Sequence, residues 1–271
     1  MSVADFRRWA EMPVGPKPML SVVVPTYNEE WRILPTIGAI ANHVSSLGFE
    51  WELVVSDDGS SDTTTDLVGA LGLTNLRLIA APKNQGKGAA VRAGVLASRG
   101  RYILFADADQ STPIEQVDAM LRPLRDQRAD ITIGSRASDG AQVAKKSLLR
   151  QTMSRGLQVA VRQLLPLGLS DTQCGFKAFT AEAAHQLFSL QRIDGFSFDL
   201  EILYLARRHG MNVVEIPVHW IDAPGSTVDP HRVALGFLRD LIGIRLMHAG
   251  KHYAPAPTNP DRYVASEGAV S

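Results

Sequence analysis

Four of the five short apolar runs in this chain end abruptly at polar clusters. Leu20–Pro25 meets Thr26-Tyr27-Asn28-Glu29, and Trp51–Ser56 meets Asp57-Asp58. Tyr102–Ala106 meets Asp107-Ala108-Asp109, and the run over 130–134 ends in Gly134-Ser135-Arg136; Leu76–Ala80 is the fifth run. Short, β-branched apolar runs read as buried strands. Helical stretches are expected between them at 29–47, 62–71, 87–98 and 114–126. This rhythm predicts an α/β fold with a mostly parallel sheet and helices on both faces. Ligands bind such sheets beyond the carboxyl ends of the strands, which is where the polar clusters fall.

A chain of 271 residues, 45% of them hydrophobic, can bury one large core. Lys plus Arg and Asp plus Glu number 28 each, so no global charge draws the chain to nucleic acid. No nucleic-acid partner is expected. The single cysteine, Cys174, excludes an internal disulfide and a Cys-rich zinc site, and fits a reducing compartment. No apolar run reaches the roughly 18 residues of a membrane span. Arg7 and Arg8 are not followed by the apolar stretch of a signal peptide. The expectation is a cytoplasmic protein that can lie on the cytoplasmic face of a membrane. Residues 1–18, with Pro13, Pro16 and Pro18, read as an arm, 19–225 as the main domain, 226–253 as a C-terminal helix and 254–271 as a loose tail.

Asp107-Ala108-Asp109 delivers two carboxylates from a buried strand into a loop. Hard divalent cations prefer such oxygens and commonly share them with a diphosphate. A metal there would offset charge on a departing nucleoside diphosphate. Asp57 and Asp58 can accept hydrogen bonds from a nucleobase or a ribose, while Asp62 caps the helix that follows. Asn84-Gln85-Gly86-Lys87-Gly88 opens a helix, where backbone N–H groups and Lys87 suit a diphosphate; a plain loop-to-helix turn is the alternative. The spacing of a Walker loop is absent.

Lys145, Lys146, Arg150 and Arg155 precede an apolar stretch over 157–165. A basic start to an amphipathic helix can rest on a membrane and receive a lipid phosphate. Arg150 and Ser154, four apart, share a helix face and can touch one phosphate. A solvated basic face is the equal alternative. Val233–Met247 carries Phe237, Leu238, Leu241, Ile242 and Leu246 at helical spacing, as expected of an amphipathic helix that packs on the domain or touches a bilayer. Cys174 reads as a small buried residue, and the seven histidines show no metal-ligand spacing.

Together these motifs resemble the family 2 glycosyltransferases of the GT-A fold, and within them the dolichyl- and polyprenyl-phosphate glucose and mannose synthases. The match runs from about Leu20 to about Leu246. Asp171-Thr-Gln-Cys-Gly-Phe-Lys177, Phe198-Asp-Leu-Glu201 and Glu215-Ile-Pro-Val-x-Trp220 are its more specific markers, and they point to the glucosyl branch. The resemblance implies that Pro25, Tyr27, Asn28, Glu29 and Asp58 hold the donor base and ribose. It implies that Asp107 and Asp109, flanking Ala108, hold Mg2+ or Mn2+ and the diphosphate. Arg136, Arg150 and Ser154 would face the acceptor phosphate. A third metal ligand is expected two residues past Asp109; mannosyl synthases have glutamine there, and this chain has Ser111. A basic residue common near the acceptor is absent at Gly225-Ser226-Thr227.

The implied reaction is inverting hexose transfer, from UDP-glucose, to a polyprenyl or dolichyl monophosphate. That acceptor is already an anion, so no general base is required. GDP-mannose is the alternative donor. The same fold acting on a hydroxyl acceptor would need a base, for which Asp199 or Glu201 could serve. A non-catalytic sugar-nucleotide sensor would have no use for the Asp-x-Asp pair. The membrane surface is the expected partner, and a homodimer is allowed.

Overall fold

The computed structural model describes residues 9–11, 14–138, 140–143, 161, 163–221, 230–251 and 253. Seven strands form the main sheet: β1 (Leu20–Thr26), β2 (Trp51–Asp57), β3 (Leu76–Ala80), β4 (Tyr102–Ala106), β5 (Ile131–Ser135), β7 (Phe176–Thr180) and β8 (Val213–Pro217). Their order is β3-β2-β1-β4-β7-β5-β8. Every neighbouring pair is parallel except those of β7, which runs antiparallel to both β4 and β5. A short parallel ribbon joins β6 (Gln142–Val143) to β9 (His219–Trp220).

Among the described residues the helices that can be followed from end to end are α1 (Ile33–Ser46), α2 (Thr64–Gly69), α3 (Lys87–Ala97), α4 (Val117–Arg125, entered through a 3-10 turn at Ile114–Gln116), α5 (Ala181–Leu190), α6 (Phe198–Arg208) and α7 (Pro230–Met247). The central strands β1, β2 and β4 are buried along their whole length, which matches their unbroken apolar runs. One core layer lies beneath α1 and α4, with Val22, Val24, Ile37, Leu53, Leu104 and Met120. The other lies beneath α3, α5 and α6, with Val23, Val54, Val91, Phe105, Phe179 and Phe198. Helices thus cover both faces, as expected of the GT-A arrangement.

Several details depart from the sequence expectation. The first helix begins at Ile33 rather than 29. Asn28 adopts a left-handed conformation at φ 55°, and the N–H groups of Glu29 and Glu30 donate to Thr64 Oγ1 and Asp62 Oδ2. The chain must turn there before a helix can start. Asp62 also accepts from Thr64 N, so it steadies the start of α2 from two residues before its first turn. Of the expected arm, Trp9 packs on the domain, stacking on Trp51 with ring centroids 4.5 Å apart. The segment after Asp171 leads first into β7 and only then into α5.

Helix α7 packs through Phe237, Leu241 and Ile244 against Val161, Leu165 and Leu200. Leu238, Ile242 and Leu246 of the expected apolar face point outward instead. Among the described residues no helix is long and apolar enough to cross a membrane.

Candidate active site

The parallel strands β1, β2, β4, β5 and β8 end on one edge of the sheet, and antiparallel β7 starts there. That edge gathers Tyr27, Asp57, Asp107, Arg136 and Gly175 from distant parts of the chain. At its centre, Asp107 N donates to Gly175 O at 3.1 Å. Gly175 has no room for a side chain, since a Cβ there would fall 1.9 Å from Asp107 Oδ2. Asp107 Oδ1 is buried and faces the Lys87 ammonium, whose Nζ lies 2.6 Å away as an ion pair. Burial opposes the Lys87 ammonium, yet Asp107, Asp199 and Asp109 outweigh it and hold its pKa above the ordinary lysine value.

The rest of the loop is fixed by its backbone. Thr36 Oγ1 on α1 donates to Ala108 O at 2.6 Å, Ser111 N donates to Asp109 Oδ1 at 2.9 Å, and Ile221 N donates to Ser111 O at 2.8 Å. Glu29 flanks the loop. Burial raises its pKa; Arg32 opposes that, and the carboxylates of Asp109 and Asp62 add to it. Two carboxylates on one loop, with a lysine ammonium already held by one of them, are prepared for positive charge. Asp107 and Asp109 suit a hard divalent cation. No group of three His, Cys, Asp or Glu residues converges among the described residues, so the remaining ligands of such an ion would be diphosphate and water oxygens.

Asp57 and Asp58 are both engaged within the protein. Asp57 accepts from Thr26 Oγ1 at 3.1 Å and from Ser60 N at 2.8 Å; Asp58 accepts from Gln85 N and Gly86 N, each at 2.8 Å. Asp58 therefore shapes the loop that carries Lys87. Tyr27 is half exposed beside it, next to Pro25 and Asn28, and Asn28 Oδ1 accepts from Ser61 N. Gly86 and Gly88 are explained by close approach of the chain itself. A Cβ at either would fall within 2.7 Å of the backbone oxygens of Asp194 or Ile193.

Arg136 at the end of β5 is clamped by Asp171, with Nε at 2.7 Å and Nη2 at 2.9 Å from the carboxylate. The clamp holds Arg136 well above and Asp171 below their ordinary values, against the burial of each. The guanidinium also lies 5.8 Å from the centroid of the Trp220 ring. Asp171 N and Ser170 N in turn donate to Glu215. Arg150, Ser154 and the neighbouring Lys145, Lys146 and Arg155 lie outside the described residues, as does Gly225-Ser226-Thr227.

Two buried carboxylates have partners that no sequence spacing revealed. Asp199 Oδ1 lies 2.7 Å from Lys177 Nζ, which also donates to Cys174 O at 2.7 Å. Glu201 accepts from Arg192 N, Ile193 N and His248 Nε2. Neither carboxylate is open to an incoming hydroxyl, so neither is placed as a general base. Cys174 is buried, and burial raises its thiol pKa, consistent with a packing role.

Residues 21–188 match the model of Glycosyl transferase family 2. The chain belongs to family 2 of the glycosyl transferases and is an enzyme of glycosyl transfer. Within the family it is similar to the dolichyl-phosphate beta-glucosyltransferase of Dictyostelium discoideum, 36% identical over 84% of this chain and 74% of that one. The human dolichyl-phosphate beta-glucosyltransferase is also 36% identical, over 86% and 77% of the two chains. In fold it is similar to glucosyl-3-phosphoglycerate synthase from Mycobacterium tuberculosis, with a TM-score of 0.64, 21% identity and coverage of 95% and 86%. That protein was solved with Mn2+, uridine-diphosphate and glucosyl-3-phosphoglycerate.

Proposed function

We propose that this enzyme transfers glucose from UDP-glucose to a dolichyl or polyprenyl monophosphate, with inversion at the anomeric carbon. The observation that carries the choice of acceptor is the engagement of Asp199 and Glu201. Both are buried on protein partners, so the base that a hydroxyl acceptor needs is not supplied by either. A phosphate monoester needs none, because its second pKa is near 6 and it is ionised at neutral pH. The kinship with dolichyl-phosphate beta-glucosyltransferases supports the same acceptor and the sugar.

In this reading a phosphate oxygen lone pair forms the new bond to C1 of glucose. The C1–O bond to UDP breaks, and its electron pair leaves on the diphosphate. Mg2+ or Mn2+ held by Asp107 and Asp109, with Ser111 beside them, would offset the charge that develops on the leaving diphosphate. Lys87 adds a fixed cation on the same side. Pro25, Tyr27, Asn28, Glu29, Asp57, Asp58 and Ala108 line the donor side, while Arg136, with Arg150 and Ser154, receives the acceptor phosphate. Arg136 keeps one guanidinium nitrogen outside the Asp171 clamp for this purpose.

The acceptor lies in a bilayer, so the enzyme works at the membrane surface. The outward stripe of Leu238, Ile242 and Leu246, one residue in four along α7, suits contact with lipid. Incubation with radiolabelled UDP-glucose and a short polyprenyl phosphate, with Mn2+ or with EDTA, tests the reaction. Metal-dependent label in the organic phase is expected. Label from GDP-mannose but not UDP-glucose would overturn the choice of donor.

A further inference from the structure

Glu201 belongs to a motif that the proposed chemistry leaves unused, and its side chain is fully buried. A buried carboxylate without partners is costly, so its partners reveal its task. Oε2 accepts from Arg192 N at 2.9 Å and Ile193 N at 2.7 Å, and Oε1 accepts from His248 Nε2 at 2.9 Å. An ionised carboxylate only accepts, so Nε2 of His248 is the donor, and its Nδ1 lies 2.5 Å from the Tyr253 hydroxyl. His248 is buried too and stands directly after α7.

The segment held by Glu201, residues 191–195, presses on the first turn of α3. Gln191 Nε2 donates to Gly88 O at 2.9 Å, Ala89 N donates to Asp194 O at 3.1 Å, and the Asp194 carboxylate pairs with Arg92 at 2.9 Å. The glycines at 86 and 88 exist to admit this strap. The turn beneath it bears Lys87, whose ammonium lies 2.6 Å from Asp107. An unbroken set of hydrogen bonds and tight contacts therefore runs from the end of α7 to the cation that faces the Asp107 loop.

We propose that His248 is a positioning residue for the donor diphosphate: through Glu201 it sets the 191–195 strap and thereby the height of Lys87 over Asp107. The proposal rests on the donor site described above. It makes the C-terminal helix part of the donor-binding machinery rather than a separate appendage.

The test compares His248→Gln with His248→Asn in the full chain. The glutamine amide reaches as far as Nε2 and keeps a donor for Glu201; the asparagine amide reaches only as far as Nδ1. UDP binding with Mn2+ is measured by calorimetry, alongside amide hydrogen exchange at Arg192 and Ile193. Gln is expected to bind UDP close to the wild-type constant. Asn is expected to bind about tenfold more weakly, equivalent to about 1.4 kcal/mol, with faster exchange confined to the strap. KM for the lipid acceptor should be unchanged in both. Equal UDP affinity in Gln, Asn and wild type would overturn the proposal, as would equal weakening in both variants, the mark of a merely structural role. Absence of UDP binding in the wild type would instead strike the donor assignment itself.

Discussion

Lys177 Nζ lies 2.7 Å from Asp199 Oδ1, with both side chains almost wholly removed from water. The pair joins β7 to the first turn of α6, directly behind Lys87 and Asp107. Burial pushes the Asp199 carboxyl up, while Lys177 and Lys87 draw it back toward ionisation. Removing one partner strands the other charge in the core. Asp199→Leu or Lys177→Met alone is expected to cost about 3–5 kcal/mol, whereas the double variant, apolar at both positions, should recover most of that loss. A double-mutant cycle by denaturant unfolding checks this; additive losses would show that the two groups act independently.

Gly175 is a steric requirement of the Asp107 loop. A methyl group there would occupy the space of the Asp107 carboxylate. Gly175→Ala should displace that side chain and lower Mn2+ affinity and turnover together, by at least about tenfold. Circular dichroism and thermal melting would establish that the sheet survives. Wild-type Mn2+ affinity in a folded Gly175→Ala protein would refute the crowding.

Acid stability is set by buried carboxylates whose charged forms are held by the fold. Burial alone would raise Glu52, but Ser21, Arg99 and Arg77 overcome it and lower its pKa below the ordinary 4.5. Asp171 is likewise opposed by burial but lowered by Arg136, below 3.8. A depressed folded pKa contributes stability above the unfolded value and loses it as pH falls through the folded one. The melting temperature should therefore be flat with respect to these groups above about pH 5 and drop as pH falls below about 4. Glu52→Gln should flatten part of that drop. An acid limb unchanged in Glu52→Gln would remove Glu52 as a cause.

The proposed reaction gives Arg136 and Arg150 to the acceptor rather than the donor. Arg136→Lys keeps the charge but loses the forked contact with Asp171. Turnover with polyprenyl phosphate should fall about a hundredfold, the lower end of the loss expected for one charge-stabilising contact, while UDP affinity is retained. Arg150→Ala should behave in the same way. Steady-state kinetics and UDP titration separate the two effects, and an equal loss of UDP binding would reassign either residue.

Much of the architecture was legible because the central strands are buried on both faces and so read as continuous apolar runs. The strand at 176–180 was not, since Phe-Lys-Ala-Phe-Thr carries a lysine whose burial makes sense only once Asp199 and the Cys174 carbonyl are beside it. The Asp-x-Asp loop was legible from its place after an apolar strand. The inward engagement of Asp57 and Asp58 was hidden, because hydrogen bonds to Ser60, Gln85 and Gly86 depend on loop conformation. Gly86 and Gly88 left a ligand cradle and a plain loop-to-helix turn both open, and the strap that crowds them, more than a hundred residues away, has no signal in the spacing. The split of α7 into an inward face of Phe237, Leu241 and Ile244 and an outward stripe follows from what packs beneath it, which periodicity alone does not tell.

The most direct test of the proposed chemistry offers the enzyme polyprenyl phosphate and the matching polyprenol in identical vesicles, with radiolabelled UDP-glucose and Mn2+. Label is expected on the phosphate lipid alone, as a β-linked glucosyl phosphate that mild acid releases. Label on the polyprenol, or on a soluble glycan added to the same mixture, would mean that a base activates a hydroxyl in this site and would contradict transfer to an acceptor that is already ionised.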